Sequence, residues 1–192
     1  IYYMYALRNG EHNIMRETTA CFSGHRPEKL PDGGSMNSQT ILTLKSLLHQ
    51  EIISAVNDGY TSFITGMSRG IDLWAGEMVT ELICSGMNLR LTAVFPYRGF
   101  EKKFKGCDKW SCGRILSKAT DIICLNEQYY RGCMNERNQY MVDNSSRLIA
   151  VVSDYKSGTG STIRYAKSQQ LDVHIIDVNK LFPNGSSQLS LL

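Results

Sequence analysis

The sequence predicts an α/β fold, a Rossmann-like three-layer α/β/α arrangement around a mostly parallel sheet of about six strands. Three observations lead there. Short apolar runs alternate with helix-length segments along the chain. Most of the runs are continuous rather than alternating, as in strands buried on both faces of a sheet. Glycine-rich turns follow three of them.

The strands are expected at Thr19–Ser23, Ser62–Thr65, Leu91–Phe95, Asp121–Leu125, Leu148–Val152 and Val173–Asp177. Between them, Gln39–Asn57 carries Ile41, Leu44, Leu47, Leu48 and Val56 near a 3.6-residue period, with Ser38 as N-cap and Asp58-Gly59 as the stop. Ile71–Cys84 places Ile71, Trp74, Ala75, Met78, Val79 and Leu82 on one stripe, so Trp74 reads as core. Shorter helices are expected at Gly113–Ala119, Met134–Asn144 and Ser161–Gln170.

The chain has 192 residues, 42% of them hydrophobic and 20% charged. That composition excludes wholesale disorder, collagen-like repeats and coiled coil. A net charge of +3 is too mild to argue for nucleic acid by itself. The six cysteines form no C-x-x-C pair, no metal constellation is visible, and no secretory signal stands out. No apolar run is long enough to cross a membrane, so a reducing cytoplasm is the simplest expectation. Residues 1–17 are expected as a leader outside the core, with Met15 a natural start, residues 18–180 as a single domain, and 181–192 as a loose tail.

The chemistry is concentrated in the turns. The first strand runs into Ser23-Gly24-His25-Arg26-Pro27, the second into Gly66-Met67-Ser68-Arg69-Gly70-Ile71-Asp72, and the fifth, a few residues on, into Ser157-Gly158-Thr159-Gly160-Ser161-Thr162. In a parallel sheet these turns share one edge, where open α/β sheets bind ligands. Glycines let backbone N–H groups approach an anion, and a following helix adds the positive end of its dipole. The turns therefore predict a phosphate-and-sugar cradle made of Gly24, Gly66, Ser68, Gly70, Gly158, Gly160, Ser161 and Thr162. There is no G-x-G-x-x-G or G-x-x-x-x-G-K-[ST] fingerprint, which disfavours a standard NAD dehydrogenase or a P-loop NTPase.

Five blocks in order carry a resemblance: Phe22–Leu30, Gly66–Glu77, Arg137–Asp143, Leu148–Val151, and Gly158-Thr159 with Thr162 and Tyr165-Ala166. Together they resemble the DUF1273 family, the YpsA/YoqJ-like branch of the SLOG superfamily, which has bacterial and prophage members. The resemblance implies a Rossmann-like domain and kinship with two groups. LOG-type phosphoribohydrolases cleave a base from a nucleoside monophosphate, and DNA-processing protein A binds single-stranded DNA. It implies ligands of nucleotide type, including NAD or ADP-ribose derivatives, and adds Arg69, Arg137, Asn138, Asp143 and Thr159 to the site. One departure matters. The phosphoribohydrolases resemble P-G-G-x-G-T-x-x-E at the last turn, whereas here Ser157 replaces a glycine and no carboxylate follows before Asp172.

Several residues have two readings. Asp72 is a helix-start charge or a contact to a ribose hydroxyl. Glu77 lies five residues on, about 140° around the helix, so the two make no tight acid/base pair. His25 is a general acid or base, or a loop hydrogen-bonding group. Arg26 is a phosphate clamp. Tyr129 and Tyr130 are expected to flank the pocket. Lys102, Lys103, Lys105, Lys109, Arg114 and Lys118 outnumber Glu101 and Asp108, with Tyr97, Phe100, Phe104 and Trp110 interleaved. This Lys102–Lys118 patch reads as a single-strand groove or as a solvated surface. The expected function is binding or sensing of a nucleotide, with no other cofactor and a homodimer as the default assembly. The alternatives are a nucleotide hydrolase using His25, Asp72 or Glu77, and a single-stranded nucleic-acid binder.

Overall fold

The computed structural model describes residues 15–35 and 38–183. The strands are β1 (Thr19–Gly24), β2 (Ser62–Thr65), β3 (Arg90–Phe95), β4 (Asp121–Cys124), β5 (Arg147–Val152) and β6 (Asp172–Asp177). The helices are α1 (Gln39–Asn57), α2 (Ile71–Cys84), α3 (Gly106–Lys118), α4 (Cys133–Asp143), α5 (Gly158–Ser168) and the single turn α6 (Val178–Leu181). The sheet runs β4-β3-β2-β1-β5-β6, and every pairing in it is parallel. The order reverses between β1 and β5, which opens a crevice at their carboxyl ends.

The continuous apolar runs are explained by the layers. Phe22, Phe63 and Phe95 point to the face covered by α1, α2 and α3, packing on Ile41, Leu44, Leu48 and Ile115. The intervening Cys21, Ile64 and Val94 point the other way, against Met141 and Val142 of α4 and Ile163 and Ala166 of α5. Phe22 and Phe63 stack at 5.9 Å across the β1–β2 pair. Each such side chain contributes about 1.5–3 kcal/mol through burial.

Helices α1 and α2 have the bounds their periodicity predicts, and Ser38 Oγ caps α1 by accepting from the Ile41 N–H at 3.2 Å. Helix α3 begins seven residues before the predicted Gly113. Its first turns, Gly106 to Trp110, are mostly exposed and carry no apolar period. Helix α5 begins at Gly158, because Ser157 Oγ accepts from the Gly160 N–H and starts the helix inside the glycine turn.

Part of the expected leader lies on the core. Arg16–Thr18 form a 3₁₀ turn, Arg16 Nε donates to the Ser145 carbonyl at 3.1 Å, and the Thr18 carbonyl accepts from the Thr61 N–H. At the other end, Leu181 belongs to α6 and Phe182 packs against the core. The remainder of the expected leader and tail, residues 1–14 and 184–192, lies outside the described residues.

The glycines of the α5 turn have different jobs. A Cβ on Gly160 would fall on the Tyr155 carbonyl, whereas a Cβ on Gly158 meets nothing within 4 Å. Gly160→Ala should destabilise the fold by about 1–3 kcal/mol in urea denaturation. Gly158→Ala should be neutral or stabilising by up to about 1 kcal/mol. Equal costs at the two positions would contradict this division.

Candidate functional site

A cleft of about 370 Å³ sits at the reversal point between β1 and β5. The end of β1 supplies Ser23, Gly24, His25 and Arg26, and the next turn adds Glu28 and Lys29. Ser68 and Asp72 come from the β2–α2 turn, Met134, Arg137 and Asn138 from α4, and Ser157, Gly158 and Thr159 from the start of α5. The β2–α2 turn is sharp because Gly70, the residue before α2, adopts φ +83°, and its Cα faces the His25 carbonyl too closely to carry a side chain.

The floor of the cleft is a buried ion pair. Arg137 Nη1 lies 3.5 Å from Asp72 Oδ2, and each side chain is 5% exposed. The same guanidinium donates to the Gly66 carbonyl through Nη1, to Ser68 Oγ at 3.1 Å through Nη2, and to Asn138 Oδ1 at 2.9 Å through Nε. Asp72 Oδ2 also accepts from the Ser68 N–H at 3.3 Å, and the Asp72 carbonyl accepts from Thr65 Oγ1 at 2.7 Å. Asn138 Nδ2 donates to Thr162 Oγ1 at 2.9 Å, and that hydroxyl donates to the Gly158 carbonyl. One chain of hydrogen bonds thus joins β2, α2, α4 and α5.

Burial pushes the Asp72 carboxyl up to about 6, against the opposing pull of Arg137, the Ser68 N–H and the nearby charge of Arg26. Burial lowers the Arg137 guanidinium, which Asp72 counters. His25 is held below its usual value by burial and by Lys29, with Asp154 opposing. Its Nε2 accepts from the Asp154 N–H at 3.3 Å, so the ring serves as a neutral acceptor bracing the β5–α5 loop.

Of the residues singled out in the sequence, Gly24, His25, Arg26, Ser68, Asp72, Asn138, Gly158 and Thr159 line the cleft. Gly66, Gly70 and Thr162 lie one layer behind it. Gly160 and Ser161 sit in the first turn of α5, where Ser161 Oγ donates to the Ser157 carbonyl and accepts from Arg164. Three residues are not brought in. Arg69 pairs with Asp108 at 2.6 Å and Glu28 at 3.6 Å. Glu77 faces Arg114 at 3.9 Å, and Asp143, at the far end of α4, accepts from the Tyr165 hydroxyl. Glu28, Lys29 and Met134 line the cleft without having been singled out; Glu28 and Lys29 lie inside the matched Phe22–Leu30 block, and Met134 lies three residues before the matched block at Arg137.

The basic segment divides. Tyr97, Phe100 and Phe104 are buried and meet edge to face at 5.5 and 5.6 Å, so they are core rather than a stacking surface. Trp110 is 62% exposed on α3, with the Arg114 guanidinium 4.8 Å from its ring. Tyr129 is exposed beside Lys103. Trp74 is core, with Lys45 over its ring. Among the described residues, no group of three or more His, Cys, Asp or Glu is placed to hold a metal, and no helix is long and apolar enough to cross a membrane.

An all-parallel sheet with helices on both faces and a crevice at its reversal point defines a Rossmann-like α/β protein. Within that class, the chain belongs to the YspA SLOG family (YpsA), whose model matches residues 20–181. Its relatives include a UPF0398 protein of Bacillus cereus, 28% identical over 118 residues. That match covers 60% of this chain and 64% of the relative, so the chain spans less than two-thirds of that protein's length. The SPbeta prophage-derived protein YoqJ of Bacillus subtilis is 29% identical over 151 residues, covering 71% of this chain and 87% of YoqJ. The family is one of uncharacterised function. Two solved structures share the fold. DNA processing protein A of Helicobacter pylori, described for its single-stranded DNA binding mode, has a TM-score of 0.57 at 17% identity over 88% of this chain and 74% of that one. The Streptococcus pneumoniae protein has 0.56 at 15% identity over 93% and 54%.

The raised Asp72 carboxyl has a consequence for stability. Unfolded, it titrates near about 4. Its contribution is therefore full below about 4, falls as pH rises through 6 and is constant above. Asp72→Asn imitates the protonated form. Its stability relative to the natural protein should rise by on the order of 2 kcal/mol between pH 4 and 7 in denaturant titrations. A difference independent of pH would contradict the assignment.

Proposed function

We propose that this protein binds a nucleotide-type ligand in the β1–β5 cleft, holding its phosphate and sugar, and acts as a binding or sensing module. The observation that carries this reading is the convergence of three anion-seeking features on one cleft. Helix α5 presents the N–H groups of Gly158 and Thr159 to the cleft, while those of Gly160 and Ser161 are taken by Ser157. Arg26 lines the cleft and is exposed, and its side chain has no hydrogen bond or ion pair among the described residues. Buried Arg137 supplies a fixed positive charge beneath. A volume of about 370 Å³ is at the small end of ligand pockets and suits one nucleoside phosphate or part of a dinucleotide.

Binding is favoured over hydrolysis by the state of the acid–base groups. His25 is occupied by the Asp154 N–H, and Asp72 Oδ2 by Ser68 and Arg137. Neither is paired with a nucleophile. A thermal-shift panel of ADP-ribose, NAD and nucleoside mono-, di- and triphosphates tests the proposal. A ligand at about 100 times its dissociation constant adds about 2.7 kcal/mol, or roughly 5–10 °C for a chain of this size. Gly158→Asp, which has room for its side chain, should keep the fold and lose the shift. A shift retained by Gly158→Asp, or a flat panel, would contradict the proposal.

A second reading rests on exposed Trp110. With Lys109 beside it, α3 offers a base-stacking surface with phosphate-binding charge. Under this reading a short single-stranded DNA binds with an affinity that falls steeply with salt and is lost in Trp110→Ala.

A further inference from the structure

We propose that the groove between the 3₁₀ turn Phe100–Lys103 and the flank of α3 that carries Lys109, Cys112, Gly113 and Leu116 is a second ligand site, taking a small zwitterion whose amine or amidine end meets Glu101 and whose acidic end meets Lys102 and Lys109. None of its residues lines the β1–β5 cleft.

The groove has a volume of about 410 Å³. Its walls are Phe104, Cys112 and Leu116, each less than one-tenth exposed, and they suit an apolar body. Glu101 Oε2 is shut off from solvent and has no hydrogen-bond partner. A carboxylate oxygen in that position is costly unless a donor meets it, and a positively charged donor meets it best. No ion pair within the described residues supplies one. Burial holds the Cys112 thiol up, and the charge of Glu101 adds to it.

Lys102 and Lys109 are exposed on the lining of the same groove, with no ion pair among the described residues. They repel a simple cation and attract an anion, so the pattern of charges selects a molecule carrying both. Gly113 completes the wall. A glycine in the middle of a helix costs stability relative to alanine. No atom lies within 4 Å of where its Cβ would stand, so internal packing does not require it. What its absence of side chain does is keep the groove open.

The test is a titration of the full chain with 4-amidinobenzoate and with arginine, followed by backbone amide shifts. Benzamidine and benzoate serve as the two half-molecules. Saturable shifts confined to residues 100–117 are expected, with 4-amidinobenzoate binding about tenfold or more tighter than either half. Glu101→Gln should weaken binding about tenfold or more. Gly113→Leu should abolish it while leaving α3 folded, which keeps the proposal exposed if Glu101→Gln fails to fold. No saturable binding of either zwitterion, equal affinity for the half-molecules, or undiminished binding by both variants would overturn it.

Discussion

The buried guanidinium of Arg137 is the interaction on which the carboxyl edge of this sheet depends. It comes from α4, on one side of the sheet, and reaches the Gly66 carbonyl and Ser68 in the β2–α2 turn and Asp72 in the first turn of α2. A buried charge with its partner removed is worth about 3–5 kcal/mol of destabilisation. That cost holds the turn after β2 against α4. Through Asn138 and Thr162 it extends to the start of α5. The cleft is therefore preorganised: its walls are set by hydrogen bonds that exist before any ligand arrives.

The same pair shapes the electrostatics of the cleft. Asp72 neutralises part of Arg137, and Glu28 is drawn to Arg69, so the uncommitted positive charge is left to Arg26, Lys29 and the N-terminus of α5. These are surface-facing groups on rigid supports, suited to meeting a phosphate. Of the residues that sequence inspection chooses for catalysis, His25 and Asp72 accept from backbone N–H groups and Glu77 faces Arg114. The likeness to DNA processing protein A concerns the fold.

Much of this was legible in the sequence. The strands could be placed within a residue because their apolar runs face two packed layers, and α1 and α2 because their apolar stripes are long and capped. The glycine turns marked the edge of the sheet at which the cleft lies. What the sequence concealed was direction. Arg69 sits inside the second glycine turn yet swings to Asp108 on α3, and Asp143 lies in a matched block at the wrong end of its helix. Helix α3 was half hidden because an exposed, glycine-containing helix has little apolar period to read. The burial of Tyr97, Phe100 and Phe104 was concealed too, since interleaved lysines make a core segment look like a binding strip.

The most direct test of the central claim is a backbone amide titration of the full chain with ADP-ribose. If the cleft is a preorganised phosphate site, the amides of Gly158, Thr159 and Gly160 at the start of α5 should shift saturably together with that of Ser68, while those of Lys109 and Trp110 stay in place. Shifts confined to α3, or no saturable shift at the start of α5, would contradict it.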